Sequence, residues 1–203
     1  MTITILSGAP TTLERAKIFL GIAGDSKDSL ITMLINQSTG IIERYTKRTL
    51  KEATYTDEVY VGNGQSKLVL RQFPVSALSA VKEAQNAVDS APSFTTLNSS
   101  TYRFTDDGII ERLDAIFLEG YQYKLTYTAG YKIDFTQENT AAAHDLPQEL
   151  EYACHKLVAR LFNTRRAEGF NTSRQGDTAV GIRDEILDAD VKGILEKYAA
   201  PTI

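Results

Sequence analysis

Apolar residues recur at helical spacing across residues 24–50, "GDSKDSLITMLINQSTGIIERYTKRTL". Leu30, Leu34, Ile41 and Tyr45 form one stripe and Ile31, Ile35 and Ile42 lie beside it, which predicts a long helix with one broad buried face. Asp25 is the expected N-cap, and Asp28 adds negative charge to the first turn. Gly40 weakens the middle by about 1 kcal/mol and offers a place for another helix to approach. A shorter helix is expected before it, in "TTLERAKIFLGI", with Thr11 and Glu14 at capping-box spacing. A third helix is expected over "DLPQELEYACHKLVARLFNTRR", with Pro147 in its first turn and Asp145 as cap. Its apolar stripe is Leu150, Cys154, Leu157, Val158, Leu161 and Phe162. A last helix, "LDADVKGILEKY", aligns Leu187, Val191, Ile194, Leu195 and Tyr198 before Pro201 ends it.

Between the second and third helices the period changes to two. "TDEVYVGNGQSKLVLRQF" predicts two strands joined as a hairpin across "GNGQ". "FPVSALSAVKEA" is extended after Pro74, and "TYRFTDDGIIER" predicts a hairpin turning at "DDG". "FLEGYQYKLTYTAGY" closes the region: Gly130 releases the chain from the sheet through a positive φ, and Tyr127 and Tyr131 pack as structural residues. "QNAVDSAPSFTTLNSST" is expected to be a long surface loop or a weak hairpin, and "AEGFNTSRQGDTAVG" to be mobile or ordered by a partner. The expected fold class is α+β: a mainly helical core of about four helices with an inserted small antiparallel β module. Its parts are N-terminal helices at 1–54, the β-rich module at 55–133, a linker, core helix and mobile segment at 134–183, and a C-terminal docking segment at 184–203.

A chain of 203 residues fits one domain, or one domain with an insertion. One cysteine, Cys154, excludes an internal disulfide framework and fits a reducing compartment. The N-terminus lacks a basic segment followed by a long apolar run, and no apolar stretch approaches the roughly 20 residues of a membrane span. The expected setting is the cytosol or an assembled particle. Net charge is −4, and its distribution changes the picture more than its size. Lys156, Arg160, Arg165, Arg166 and Arg174 form a basic stretch, followed by acidic Asp177, Asp184, Glu185, Asp188, Asp190 and Glu196. These are either two solvated faces or complementary charge between neighbouring copies of the chain.

Catalytic motifs are not found. "GNGQSK" lacks the spacing and following helix of a phosphate loop. Cys154 and His155 are adjacent on a helix and so point about 100° apart, and Cys154 falls on the apolar stripe as a buried structural thiol. His144, His155 and Cys154 are too few for a histidine/cysteine zinc site. No catalytic, cofactor-binding or metal-ligating residue is therefore assigned, and no cofactor is expected. Arg160, Arg165 and Arg166 either bind phosphate or complement a helix C-terminus.

The order of segments resembles the head–tail connector (adaptor, or head-completion) family of tailed bacteriophages. The matching features are the helix pair ending at Tyr45–Arg48, "FPVSALSAV", "LTYTAGY", "LPQELEYACHKLVARLFNTRR" and "ILDADVKGILEKY". Residues 85–101 match no motif of that family. The resemblance implies a non-enzymatic virion protein at the head–tail interface, assembled in the host cytoplasm. It would form a ring of about twelve copies beneath the portal by one repeated closing interface, extend the channel for passing double-stranded DNA, and present a surface to a downstream neck or tail protein. No membrane is involved. Ile186, Leu187, Val191, Ile194, Leu195 and Tyr198 are the candidates for portal docking; Arg160, Arg165, Arg166 and Arg174 are the candidates for contacts with DNA or between subunits. The alternatives are a β-module that binds a host surface or glycan, and a particle-associated hydrolase built from dispersed carboxylates.

Overall fold

The computed structural model describes residues 3–85, 92–135, 144–165, 172–175, 178–181 and 187–200. They form four α-helices and antiparallel sheets, an α+β fold. Two compact units divide the chain: a helical unit of residues 1–50 and 132–203, and a β unit of residues 51–131.

The helical unit contains α1 (Leu13–Leu20), α2 (Asp28–Thr46), α3 (Gln148–Thr164) and α4 (Ala189–Lys197). Helix α2 packs on the other three, and α3 also contacts α1 and α4. On α2 the flanking row Ile31, Ile35 and Ile42 is buried together with Leu34, whereas Leu30, Ile41 and Tyr45 of the expected stripe are half-buried; on α3 Leu150, Cys154, Leu157, Val158 and Phe162 are buried and Leu161 is half-buried. Burying each such large side chain contributes roughly 1.5–3 kcal/mol. Helix α2 also buries Thr39 and Thr46, whose hydroxyls donate to the carbonyls of Ile35 and Ile42 one turn back, at 2.9 Å each.

Three expected caps are not where the sequence placed them. The N-cap of α1 is Thr12, which accepts from the Arg15 amide at 3.3 Å, because Thr11 is buried and bonded elsewhere. Lys27, not Asp25, precedes α2, and no side chain caps that helix; Asp28 instead accepts from Lys17 Nζ at 2.7 Å. Pro147 occupies the N-cap of α3, and Asp145 accepts from the Lys132 amide at 2.6 Å. Gly40 has open space where a side chain would project, so among the described residues no helix approaches there.

The β unit runs β1 (Ala53–Val61), β2 (Lys67–Val69), β3 (Val75–Gln85), β4 (Thr95–Thr96), β5 (Tyr102–Phe104), β6 (Ile109–Arg112) and β7 (Tyr121–Ala129). One sheet has the order β1-β7-β3-β4 and the other β2-β6-β5, with every pairing antiparallel. The hairpin expected across "GNGQ" does not form. Its two strands join different sheets, since β1 pairs with β7 and β2 with β6. Partners distant in sequence override the local turn signal. The hairpin at "DDG" does form, as β5 and β6, with Gly108 at φ 80°. The closing strand β7 alternates buried Tyr123, Leu125, Tyr127 and Ala129 with half-buried neighbours. Residues 86–91 lie outside the described residues; of the unmatched stretch, Thr95 and Thr96 add a short edge strand to β3.

Strand β1 carries a bulge between Tyr55 and Glu58, with Asp57 at φ 52°. The extra residue shifts the inward positions from Tyr55 to Glu58 and Tyr60. Glu58 Oε2 thereby accepts hydrogen bonds from Tyr60 at 2.6 Å and Tyr127 at 2.5 Å, and Oε1 accepts from Arg71 at 3.2 Å. The Tyr55 ring stacks on Tyr127, 5.3 Å between centroids. Burial pushes the Tyr60 and Tyr127 phenols far above their usual pKa, and the hydrogen bonds to Glu58 reinforce it. Gly130 ends β7 at φ 112°, where a Cβ would lie 2.7 Å from the Lys51 and Glu52 backbone. The glycine is thus required by both conformation and space.

After α3, β8 (Thr172–Gln175) and β9 (Thr178–Gly181) pair as an antiparallel hairpin. The break in pattern expected over this stretch therefore contains a paired element.

Candidate assembly interface

The C-terminal amphipathic stripe is built into the helical unit. Val191 and Leu195, one turn apart, are 1% and 0% exposed where α4 packs on α3 and α2. Leu187, Ile194 and Tyr198 are half-buried, and Ile186 lies outside the described residues. Among the described residues, nothing lies within 4 Å of where a side chain at Gly193 would project.

Polar contacts frame this seat. Arg160 of α3 pairs with Asp188 at the start of α4, and Lys156 Nζ lies 3.8 Å from Asp190. At the far end Glu149 accepts from Lys197 Nζ at 3.2 Å and from the Tyr198 hydroxyl at 3.0 Å, and these bonds hold its carboxyl below the usual range. Tyr45 donates to Glu196 at 3.3 Å, and the Ala200 amide donates to the Thr46 carbonyl at 2.9 Å. The basic and acidic stretches of the sequence thus meet within one chain at two pairs. Beside the seat, Ile41, Arg44, Tyr45 and Leu187 line a depression of about 450 Å³.

The candidate arginines separate. Arg160 belongs to the α4 seat. Arg165 follows α3 as its C-cap and lays its guanidinium 3.8 Å from the Phe162 ring centroid. Arg166 lies outside the described residues; Arg174 is on β8, with its side chain outside them.

A second surface joins α1 to α3. Thr11 donates to Glu151 Oε1 at 3.2 Å and bonds His155 Nε2 at 2.7 Å. Arg15 Nη1 reaches both oxygens of Glu151 at 2.9 Å. The Phe19 ring stacks on His155 at 5.0 Å, and desolvation lowers the His155 pKa below its usual value. Above this polar clasp Ile18, Phe19 and Tyr152 stay exposed along an open groove of about 440 Å³. Sequence reasoning missed the clasp because its partners are about 140 positions apart. The available signal was Glu151 and His155 at helical i, i+4 spacing beside the apolar stripe. Cys154 itself is fully buried, and burial raises its thiol pKa well above normal, so it and His155 do not form a reacting pair. Among the described residues, no group of three metal-binding side chains occurs and no helix is long and apolar enough to cross a membrane.

Comparison with known proteins gives this geometry a family. The head completion protein family matches residues 10–200, nearly the whole chain. The chain belongs to the head completion protein family. The fold is similar to a chain in the virion of a native gene transfer agent particle, with a TM-score of 0.58 at 17% identity, covering 100% of this chain and 96% of that one. It is similar to a chain in the neck of an empty particle of that kind, computed with C6 symmetry (TM-score 0.53, 17% identity, 100% and 96% covered). A chain in the neck of the native particle, computed with C12 symmetry, gives 0.51 at 19% identity, with 100% and 97% covered. No curated protein sequence matches the chain.

Proposed function

We propose that this head completion protein is a structural subunit of the neck of a phage-like particle, repeated as a ring of about twelve copies beneath the portal. The observation that carries the reading is the family match across residues 10–200. The full-length likeness to chains in neck structures, one of them computed with C12 symmetry, supports the ring. Such a ring extends the DNA channel from the portal and presents a surface to a downstream neck protein. Its mild net charge of −4 suits passage of DNA, because few cationic contacts keep the phosphate backbone from sticking.

Portal docking falls to the C-terminal helix in this reading. With Val191 and Leu195 occupied by the helical unit, Leu187, Ile194 and Tyr198 are the members of the stripe still partly at the surface. The test is electron microscopy of the protein with and without its portal, beside particles made without it. Rings on the portal, and full heads that leak DNA when the protein is missing, are expected. Intact, infectious particles without the protein would refute the reading.

A further inference from the structure

The loop between β1 and β2 carries Asn63 ahead of Gly64, and Asn63 alone among the asparagines precedes a glycine. That pair has a chemistry of its own. The backbone nitrogen of the following residue can attack the side-chain Cγ of asparagine, and glycine, without a Cβ, leaves that nitrogen unhindered. Asn63 is exposed, so water and hydroxide reach it.

The fold withholds the nucleophile. The Gly64 N–H donates to the Phe117 carbonyl at 2.8 Å, and the Phe117 N–H donates back to the Gln65 carbonyl at 2.7 Å. The Gly62 N–H donates to the Tyr121 carbonyl at 3.0 Å, and a Cβ at Gly62 would lie 1.9 Å from the Leu118 oxygen, so the loop lies directly on residues 117–121. That segment is anchored in turn: Phe117 is fully buried, and the Leu118 amide donates to the Tyr123 hydroxyl at 2.9 Å. The electrophile is held too, with Asn63 Nδ2 donating to the Lys67 carbonyl and Oδ1 accepting from the Gln65 amide, both at 3.0 Å. The Gln65 bond by itself polarises Cγ and favours attack. Protection therefore falls to the bond from Gly64 to Phe117, which keeps in place the proton that the nitrogen must lose.

We propose that Asn63 is a self-modifying site guarded by this seat: it stays an amide while the loop lies on Phe117, and cyclises onto Gly64 when the loop lifts. Hydroxide takes the Gly64 amide proton, the nitrogen bonds to Cγ, and Nδ2 takes a proton from water and leaves as ammonia, closing a succinimide. Water then opens the ring at either carbonyl, giving aspartate or isoaspartate at this position; the net change is loss of ammonia and gain of water. The product lacks the donor to Lys67. It also adds a carboxylate to a turn against which Glu119 already lies, its Oε1 3.1 Å from where a Gly64 Cβ would be. Isoaspartate lengthens the main chain between β1 and β2 as well. These changes oppose reseating, so the site records opening of the loop in one direction. The inference stands apart from the ring reading.

The test uses the full chain, held at mildly alkaline pH in buffer and in urea and then digested. Mass spectrometry follows the peptide that contains Asn63, with isoaspartate separated by chromatography. Conversion in buffer is expected to be at least about tenfold slower than in unfolding urea, since it waits on local opening. Asn63→Gln, which closes its ring far more slowly, removes the signal and identifies it. In urea below the unfolding transition, conversion and amide exchange at Gly64 should rise together. Equal rates in buffer and in unfolding urea overturn the guard. Exchange at Gly64 that rises without conversion overturns the role of its amide, and an Asn63 that survives unfolding unchanged overturns the site itself.

Discussion

The phenol of Tyr127 donates to Glu58 across paired strands β7 and β1, at 2.5 Å, and Tyr60 donates to the same oxygen at 2.6 Å. One carboxylate oxygen therefore ties two buried rings of the β unit. Replacing Tyr127 by phenylalanine keeps the ring and removes one donor. A loss of about 1–3 kcal/mol is expected in chemical denaturation, at the upper end because the acceptor is charged.

The same pair predicts alkaline sensitivity. Folding raises the Tyr127 and Tyr60 pKa values above the unfolded value of 10.0. Above that pH the unfolded chain releases phenol protons that the folded chain retains, so stability falls as pH rises. A melting series from pH 8 to 11 should show the fall, and the Tyr60→Phe, Tyr127→Phe double variant should flatten it. An unchanged slope would remove these phenols as its cause.

His155 predicts the opposite limb. Desolvation by burial depresses its pKa, with Arg15 acting in the same direction and Glu151 against it. Below the unfolded value of 6.5 the unfolded state binds the proton more readily, so stability is lost as pH falls. Thr11 and the Phe19 ring are the neutral groups facing it. His155→Gln should weaken the dependence between pH 7 and 5, measured by melting temperature; an identical pH profile would exclude His155.

Two glycines should respond with opposite signs. Gly130→Ala forces a Cβ to within 2.7 Å of backbone at φ 112°, so a loss of about 3 kcal/mol or more is expected. Gly40→Ala fills open space in the middle of α2 and should stabilise by about 1 kcal/mol. Denaturation midpoints of the two variants measure both.

Leu195→Ala opens a cavity beneath α4 and should cost about 2–5 kcal/mol. Because α4 is held by two buried side chains, Val191 and Leu195, the loss should appear first as faster amide exchange at residues 189–197, before global unfolding. Uniformly faster exchange throughout the helical unit would mean that α4 does not open by itself.

The elements were legible wherever local periodicity and burial agree. The stripes of α2 and α3 and the alternation of β7 each follow from one face being covered. The strand order was not legible, since nothing local in "GNGQSKLVL" tells β2 to leave β1 for β6. Thr11 shows the same limit in one residue: its spacing to Glu14 suits a cap, yet Glu151 and His155 claim its hydroxyl. The α4 stripe was visible, but amphipathicity does not say whether its cover is the same chain or another. Leu187, Ile194 and Tyr198 kept some exposure while Val191 and Leu195 did not, and that division required the fold.

The division of the chain at Leu50 and Lys132 also sets a timetable. Helices α1 and α2 leave the ribosome first, but α3, which covers them, is encoded beyond the whole β unit. At about 5–20 residues per second, α2 waits several seconds or more for its partner. The β unit holds its own core from Tyr60 to Ala129 and is complete before α3 emerges. During synthesis the second unit in the sequence is thus the first able to finish, and Ile31, Ile35 and Ile42 await α3, which is made only afterwards.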